Sequence, residues 1–412
     1  MNKVRIGDIA TVFDGPHATP KKIAEGPIYL GLDGITDDGR FNPSGFAHLS
    51  EDDYAIWTRR VTPQEDDIVF SYEATLGRYV LIPKDFYGCL GRRLGIVRCD
   101  KTKVNPRWLY YFFLSPEWTH FTQSHKVRGS TVDRLSVDDF PGYEIPLPSL
   151  EEQNRAVDAI SPVDQKIDLN TRLCAELESM TRTLYDYWFV QFDFPDENGK
   201  PYRSNGGEMV WCQELGREVP KGWKVGTLSD LVTIQKEGFD PAAYGNETVE
   251  HYSIPAYDEG RYPSFETADT ILSGKYIVPL GAILFSKLNP QFKRIWDPPC
   301  LSDVRACSTE FMVYSPIDEA LRPFIYATLN SDAFYRFTVQ IASSSTGSRK
   351  RLDPDATMKY TVIMPEMRVI QQFCAQTKST LEQAKKLQIE NHELTRLRNW
   401  LLPMLMNGQA RV

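Results

Sequence analysis

Apolar residues recur every three or four positions in two long stretches of this chain, and both stretches are predicted as helices. The first runs from Leu150 to Phe189, with Ile160, Val163, Ile167, Leu173, Leu177, Met180 and Leu184 as its seam and Pro162 as its one internal proline. The second runs from Val369 to Leu402, with Val369, Phe373, Leu381, Ala384, Leu387, Leu394, Leu397 and Leu401. Asn170 and Cys174 soften the first seam. Forty residues of helix extend about 60 Å. Either helix alone has a plainer place, packed on its own domain. Two at equivalent positions favour an antiparallel coiled pair.

Ahead of each helix the pattern shortens to β-like runs broken by Gly, Pro and Asp. In residues 1–148 these are Ile68 to Tyr72, Tyr79 to Ile82 and Leu94 to Arg98, followed by a helix near Pro106–Ser124. In residues 223–365 they are Tyr276–Val278, Ile283–Phe285 and Phe311–Tyr314, followed by a helix over roughly Arg322–Thr338. Residues 191–222 read as a turn-rich connector. The expected organisation is therefore a mixed module at 1–148, a helix at 149–190, the connector, a second mixed module at 223–365 and a helix at 366–408.

The modules repeat each other. Ile6-Gly7-Asp8-Ile9 matches Leu228-Ser229-Asp230-Leu231, and Ile68-Val69-Phe70-Ser71 matches Ile283-Leu284-Phe285-Ser286. Trp118 to Thr122 matches Phe334 to Thr338, Arg134-Leu135 matches Arg351-Leu352, and Pro-Gly-Tyr-Glu-Ile-Pro-Leu-Pro at 141–148 returns as Lys-Tyr-Thr-Val-Ile-Met-Pro at 359–365. The separation stays near about 216 residues, the mark of a duplicated half-chain. The fold class expected is α+β: two similar mixed modules, a pseudo-twofold, and two long antiparallel helices holding two binding surfaces apart.

Composition narrows the classes. The N-terminus has no apolar run resembling a signal peptide, and no stretch reaches the roughly 18 apolar residues that span a bilayer. The seven cysteines are scattered and never form C-x-x-C, which fits a reducing cytoplasm. The net charge of −8 argues against a free-standing tight DNA binder and suits a subunit whose partners supply part of the basic surface.

Several chemistries lack their motifs. There is no P-loop and no H-E-x-x-H. The nearest string to a methyltransferase Asn-Pro-Pro-aromatic segment, Asn289-Pro290-Gln291-Phe292, lacks the second proline and reads as a turn. Asp66-Asp67 with Glu73 suggests a metal nuclease, but the second copy has lost the acids, so a turn before a strand is preferred.

What remains is polar and basic. Ser343 to Arg351 places Arg349, Lys350 and Arg351 beside Thr346, Gly347 and Ser348, a composition suited to phosphate. Its first-copy counterpart is Lys126-Val127-Arg128-Gly129-Ser130-Thr131. A solvated loop is the plainer alternative, and recurrence in both modules favours DNA. Further candidates are Tyr72, Arg78, Arg92 and Arg93 in the first module, with Lys287, Lys293, Arg294 and Arg305 in the second. These middle stretches differ most between the copies, as two readers of different sequences would.

The assembled pattern resembles the specificity subunits of type I restriction-modification systems. The resemblance rests on Ile145 to Gln153 opening the first helix, Leu184 to Asp193 closing it, and the C-terminal Leu401 to Val412. It implies a non-catalytic subunit in which two target recognition domains each read half of a split DNA site while the helices set the gap. It further implies docking of two modification subunits carrying S-adenosylmethionine and adenine methylation, with restriction subunits adding ATP- and Mg-dependent translocation and cleavage. No cofactor and no metal would belong to this chain itself. Trp188, Phe189, Trp400 and Leu401 are then shared between the coiled pair and the modification subunits, with intramolecular packing as the alternative. A methyltransferase or nuclease with degenerate motifs, or a coiled-coil scaffold without DNA function, are the competing readings.

Overall fold

In the computed structural model of the chain, residues 2–127, 133–344 and 350–407 are described. The chain divides into two compact units, residues 1–165 with 395–412, and residues 166–394. In the first, a four-stranded antiparallel sheet is built from β1 (Ala10–Asp14), β2 (Ile68–Ser71), β3 (Tyr79–Leu81) and β4 (Leu94–Cys99), in the order β1-β4-β2-β3. Helices α1 (Pro106–Phe113) and α2 (Pro116–His125) follow, then the long α3 (Leu150–Tyr185). The second unit repeats the sheet with β5 (Val232–Gln235), β6 (Ile283–Ser286), β7 (Ile295–Trp296) and β8 (Phe311–Pro316), ordered β5-β8-β6-β7. Then come α4 (Arg322–Leu329), α5 (Asp332–Ile341) and α6 (Met367–Met406).

The two sheet topologies are identical, and the repeated Ile-hydrophobic-Phe-Ser strings fall on β2 and β6, all four residues buried in each. Runs buried on both faces read as unbroken apolar segments. A second, smaller sheet also recurs. Ile28 to Leu30 pairs in parallel with Gly88–Leu90, as Glu250 to Tyr252 does with Arg305 to Cys307. The second module widens this sheet to five strands by adding Lys275–Ile277 and Gly238–Phe239.

The single helices expected over Pro106–Ser124 and Arg322–Thr338 are each broken in two. The hydroxyls of Ser115 and Ser331 accept the N–H groups of Trp118 and Phe334, both at 3.2 Å, and start a new helix. A serine that caps its own N-terminus outweighs continuous apolar periodicity.

In the second unit α3 and α6 run antiparallel. The Asn170 amide donates to Glu390 (2.9 Å), the Cys174 thiol to the Ala384 carbonyl (3.4 Å), and the Asn391 amide to Thr171 Oγ1 (3.1 Å). The buried seam of α3 keeps a seven-residue step through Ile160, Ile167, Cys174 and Thr181, then Trp188 beyond the helix end. The seam expected from apolarity alone drifts off this line: Leu173 and Met180 are exposed, and on α6 Leu397 is exposed while Arg398 is buried. Heptad continuity from the docked ends, not side-chain polarity, decides which residue faces the partner helix.

Each unit's core takes the start of one long helix and the end of the other. In the first, Val157 and Ile160 of α3 and Leu402, Leu405 and Met406 of α6 join Trp108, Phe113, Trp118 and Phe140. In the second, Val369, Ile370 and Phe373 of α6 join Tyr185, Trp188 and Phe189, with Phe324 and Phe334 from the module.

Asn170 is wholly buried, and its carbonyl oxygen has no hydrogen-bond partner among the described residues. Replacing a buried polar group left half satisfied removes a desolvation penalty. Asn170→Leu is therefore expected to stabilise the second unit by about 1 kcal/mol, seen as a raised melting temperature in calorimetry of the full chain.

Candidate nucleic-acid interface

The basic loop of each module springs from the same place, and the same backbone bonds hold it there. At the end of β2, Ser71 N–H donates to Arg78 O (2.9 Å), Tyr72 N–H to Arg93 O (3.2 Å), and Leu135 N–H to Tyr72 O (2.8 Å). At the end of β6, Ser286 donates to Arg294 O, Lys287 to Glu310 O, and Leu352 to Lys287 O, each at 2.9 Å. In the repeated Arg-Leu pair the leucine is the buried anchor, Leu135 at 1% and Leu352 at 3% exposure. The arginine instead bridges to the neighbouring loop, Arg134 opposite Glu73 and Arg351 opposite Leu288.

The described residues that flank each loop form a short antiparallel ladder. Val127 and Arg134 exchange both backbone bonds (2.8 and 3.1 Å), and Ser343 and Ser344 pair with Arg351 and Lys350. Asn289 stiffens the second loop's base. It sits at φ 51, donates its N–H to Lys350 O (2.8 Å), and its side chain accepts Lys350 N–H (3.1 Å). The expected turn at Asn289-Pro290 therefore abuts the basic loop. Arg128, Ser130, Thr131, Thr346, Ser348 and Arg349 lie outside the described residues.

The remaining candidate cations separate into inward and outward groups. Arg78 binds Asp37 (2.6 Å) and the Leu32 carbonyl (2.9 Å), and Arg294 grips Asp258 with two bonds (2.7 and 2.8 Å). Arg305 donates to the carbonyls of Val278 (3.0 Å) and Ser302. Lys293 donates to the Asn330 carbonyl, and burial holds its ammonium pKa below the usual lysine range. Arg93 stands 3.1 Å from Glu73 and Lys126 2.8 Å from Asp133, while Lys287 lies over the Tyr276 ring at 5.9 Å. Tyr72 is a core residue whose hydroxyl pKa is pushed up by burial and then by the nearby Asp14 carboxylate. Of these DNA-contact candidates, Tyr72 is buried, while Arg78, Arg294 and Arg305 are partly buried and engaged with groups of the chain itself. Arg92 and Lys350 are exposed, and so are Arg134 and Arg351 at the loop bases.

Asp67, one of the paired acids before β2, is buried and takes two bonds from Arg98 (2.8 and 2.7 Å). It serves the strand. Trp188 and Phe189 are buried, as Tyr72 is. They are 2% and 4% exposed, with Phe189 packed on Phe324 (5.0 Å between ring centres) and Trp188 on Phe373 (5.8 Å). Trp400 is 60% exposed, and Leu401 is half-buried against the first core.

One duplicated string escaped the reading of the repeats: Asp37-Asp38-Gly39-Arg40 and Asp258-Glu259-Gly260-Arg261. Its signal was present in the sequence, as two acids, a glycine and an arginine preceding an aromatic in both modules. Its two copies lie slightly further apart than most of the other landmarks, close to the spacing of Ile6 and Leu228.

Comparison with known proteins places these modules among relatives. The family model for the type I restriction modification DNA specificity domain matches residues 1–179. The type I restriction enzyme HindI specificity subunit of Haemophilus influenzae is 24% identical over 399 residues, covering 81% of this chain and 84% of the relative. The type I restriction enzyme MjaIX specificity subunit of Methanocaldococcus jannaschii is 25% identical over 321 residues, covering 76% of this chain and 71% of the relative. In fold, the chain is similar to the type I restriction-modification S subunit of M. genitalium, with a TM-score of 0.54 at 14% identity over 98% of this chain and 95% of that one.

The opposite placements of the two tryptophans make a direct test. Trp188→Ala is expected to destabilise the second unit by about 3–5 kcal/mol, the usual loss for a large buried aromatic. Trp400→Ala is expected to change stability by no more than about 0.5 kcal/mol. Denaturant titration of each variant checks both.

Proposed function

We propose that the chain, a member of the type I restriction-modification specificity family through its residues 1–179 and its whole-length fold, is the subunit that reads DNA for such a complex. The observation that carries this reading is the pair of basic loops, mounted on the same strand end by the same three backbone bonds in both modules. Two equivalent readers suit a split site, one half for each module, with the paired helices setting the number of unread bases between the halves. Loop cations fix the register on phosphates, and neighbouring side chains read base edges.

In this reading the chain carries no catalytic group. Methyl transfer with S-adenosylmethionine belongs to two modification subunits, and ATP- and Mg-dependent translocation and cleavage belong to restriction subunits, all in the cytoplasm. The exposed Leu169, Leu173 and Met180 on α3 and Trp400 on α6 supply apolar contact area for the modification subunits. They replace Trp188 and Phe189 in that role. The net charge of −8 fits a subunit that meets DNA through a few basic loops while its partners extend the positive surface.

The test is mapping of methylated adenine in host DNA with and without the gene, where loss of one split motif is expected and an unchanged methylome overturns the reading once a co-purifying methyltransferase is in hand. The double substitution Arg349→Ala with Lys350→Ala should weaken DNA binding by the assembled complex. It should also flatten the log-log dependence on salt by about 1.8, two phosphate contacts at roughly 0.9 each. Binding measured over a series of salt concentrations checks this.

A further inference from the structure

The duplicated Asp-acid-Gly-Arg string does the same two things in both modules. Its first aspartate holds the arginine that closes the hairpin after the reading strand. Asp37 accepts Arg78 Nε at 2.6 Å, and Asp258 accepts Arg294 Nε and Nη2 at 2.7 and 2.8 Å. Those two arginines are themselves equivalent, since their carbonyls accept the N–H groups of Ser71 and Ser286, both at 2.9 Å. The string's arginine reaches an acid on the long helix α3: Arg40 to Asp164 at 3.3 Å, and Arg261 to Glu178. The intervening glycine takes a positive φ in both copies, 89° at Gly39 and 135° at Gly260. At Gly39 a Cβ would come within 2.5 Å of the Tyr110 hydroxyl, which donates to the Gly39 carbonyl (2.6 Å).

A path of charged contacts therefore runs from α3 to the string's arginine, along the turn to its aspartate, across to the hairpin arginine, and into the strand end that anchors the basic loop. The arginines are partly shielded, the side chains of Arg78, Arg294 and Arg40 being 22%, 16% and 21% exposed, while their acids Asp37 (82%) and Asp258 (48%) face solvent. The first unit adds Arg398 of α6, its side chain 5% exposed, which reaches the same Asp164 at 3.2 Å. In the second module the two bonds from Arg294 to Asp258 fix angle as well as distance, and in the first Arg78 is held by one bond to Asp37 and one to the Leu32 carbonyl.

We infer that this repeated clamp is a positioning device: Asp37, Arg40 and Arg78, and likewise Asp258, Arg261 and Arg294, fix how the strand end that carries the Leu135 or Leu352 anchor is held against α3, and so determine half-site discrimination without touching DNA. This rests on the DNA-reading function proposed above. A direct contact and a positioning contact differ in salt dependence. Loss of a phosphate contact lowers the salt slope, whereas loss of alignment lowers discrimination and leaves the slope in place.

The experiment uses the full chain assembled with its modification subunits and duplexes carrying the mapped split motif, intact or altered in one half-site. Arg294→Gln is expected to reduce discrimination at the second half-site about tenfold, with the first half-site and the salt slope unchanged. Arg78→Gln should do the mirror image. The exchanged pair Asp258→Arg with Arg294→Asp should recover most of the second half-site reading, and it keeps the test open if the single variant folds poorly. A salt slope lowered by about one unit in Arg294→Gln would make it a phosphate contact and overturn the inference. So would undiminished discrimination, or a folded exchanged pair that recovers nothing. A wild-type complex that fails to discriminate the motif would instead remove the DNA-reading proposal itself, which separates the two failures.

Discussion

Neither module closes its core alone, and the rest of the structure depends on this. The first buries Trp108, Trp118 and Phe140 only with Val157 and Ile160 from one helix and Leu402, Leu405 and Met406 from the other. The second does the same with Tyr185, Trp188, Phe189, Val369 and Phe373. Burying a large aliphatic or aromatic side chain is worth about 1.5–3 kcal/mol, so five such residues supply an amount comparable to a domain's whole net stability. The helix ends are therefore structural members of the modules they serve. Their seven-residue step is inherited from these docked ends, which is why Arg398 and Asn170 occupy seam positions while Leu173 and Met180 face outward.

The charge distribution follows from the same economy of placement. Many cations are neutralised within the chain: Arg98 by Asp67, Arg78 by Asp37, Arg294 by Asp258, and Arg322 together with Lys385 (3.0 Å) by Asp297. Partly buried ions need partners, since removing a charge from water is costly unless its hydrogen bonds are replaced. Cations open to solvent then stand out at the loop bases, at Lys350 and Arg134, with Arg351 also exposed but paired to Glu310 (2.6 Å). An acidic chain with local basic loops is consistent, because a polyanion responds to the potential of the face it meets.

Much of this fold was legible because duplication tests itself. A pattern that recurs in register is hard to produce by chance, and the central strands β2 and β6 and the Arg-Leu anchors coincide with repeated strings. What escaped the sequence were decisions made by tertiary neighbours. Trp188 and Trp400 sit at comparable points near the ends of their long helical stretches, yet one packs on Phe189 and Phe373 and the other is open. Arg78 and Arg92 are chemically alike, and only the fold shows that Asp37 stands beside the first. The breaks at Ser115 and Ser331 turned on single hydroxyls competing with an otherwise continuous apolar pattern.

The two modules also divide labour between what they share and what they vary. Their four-stranded sheets share one strand order, both carry a helix pair broken at a capping serine, and the loop anchors use equivalent backbone bonds. The smaller sheets differ, three strands in one and five in the other. The added strands enclose their own small core of Phe239, Val249, Ile271 and Ala306, and a buried Glu250 braced by the Tyr252 hydroxyl and the Ser302 N–H (2.8 Å). Extra buried structure of that kind costs ordering entropy and is retained only when its shape matters. A constant frame that fixes loop position, joined to a variable sheet beside it, lets one architecture present two different surfaces. The repeated Asp-acid-Gly-Arg turn lies between the small sheet and the helix in both modules, so variation in the sheet can proceed without loosening the hold on the frame.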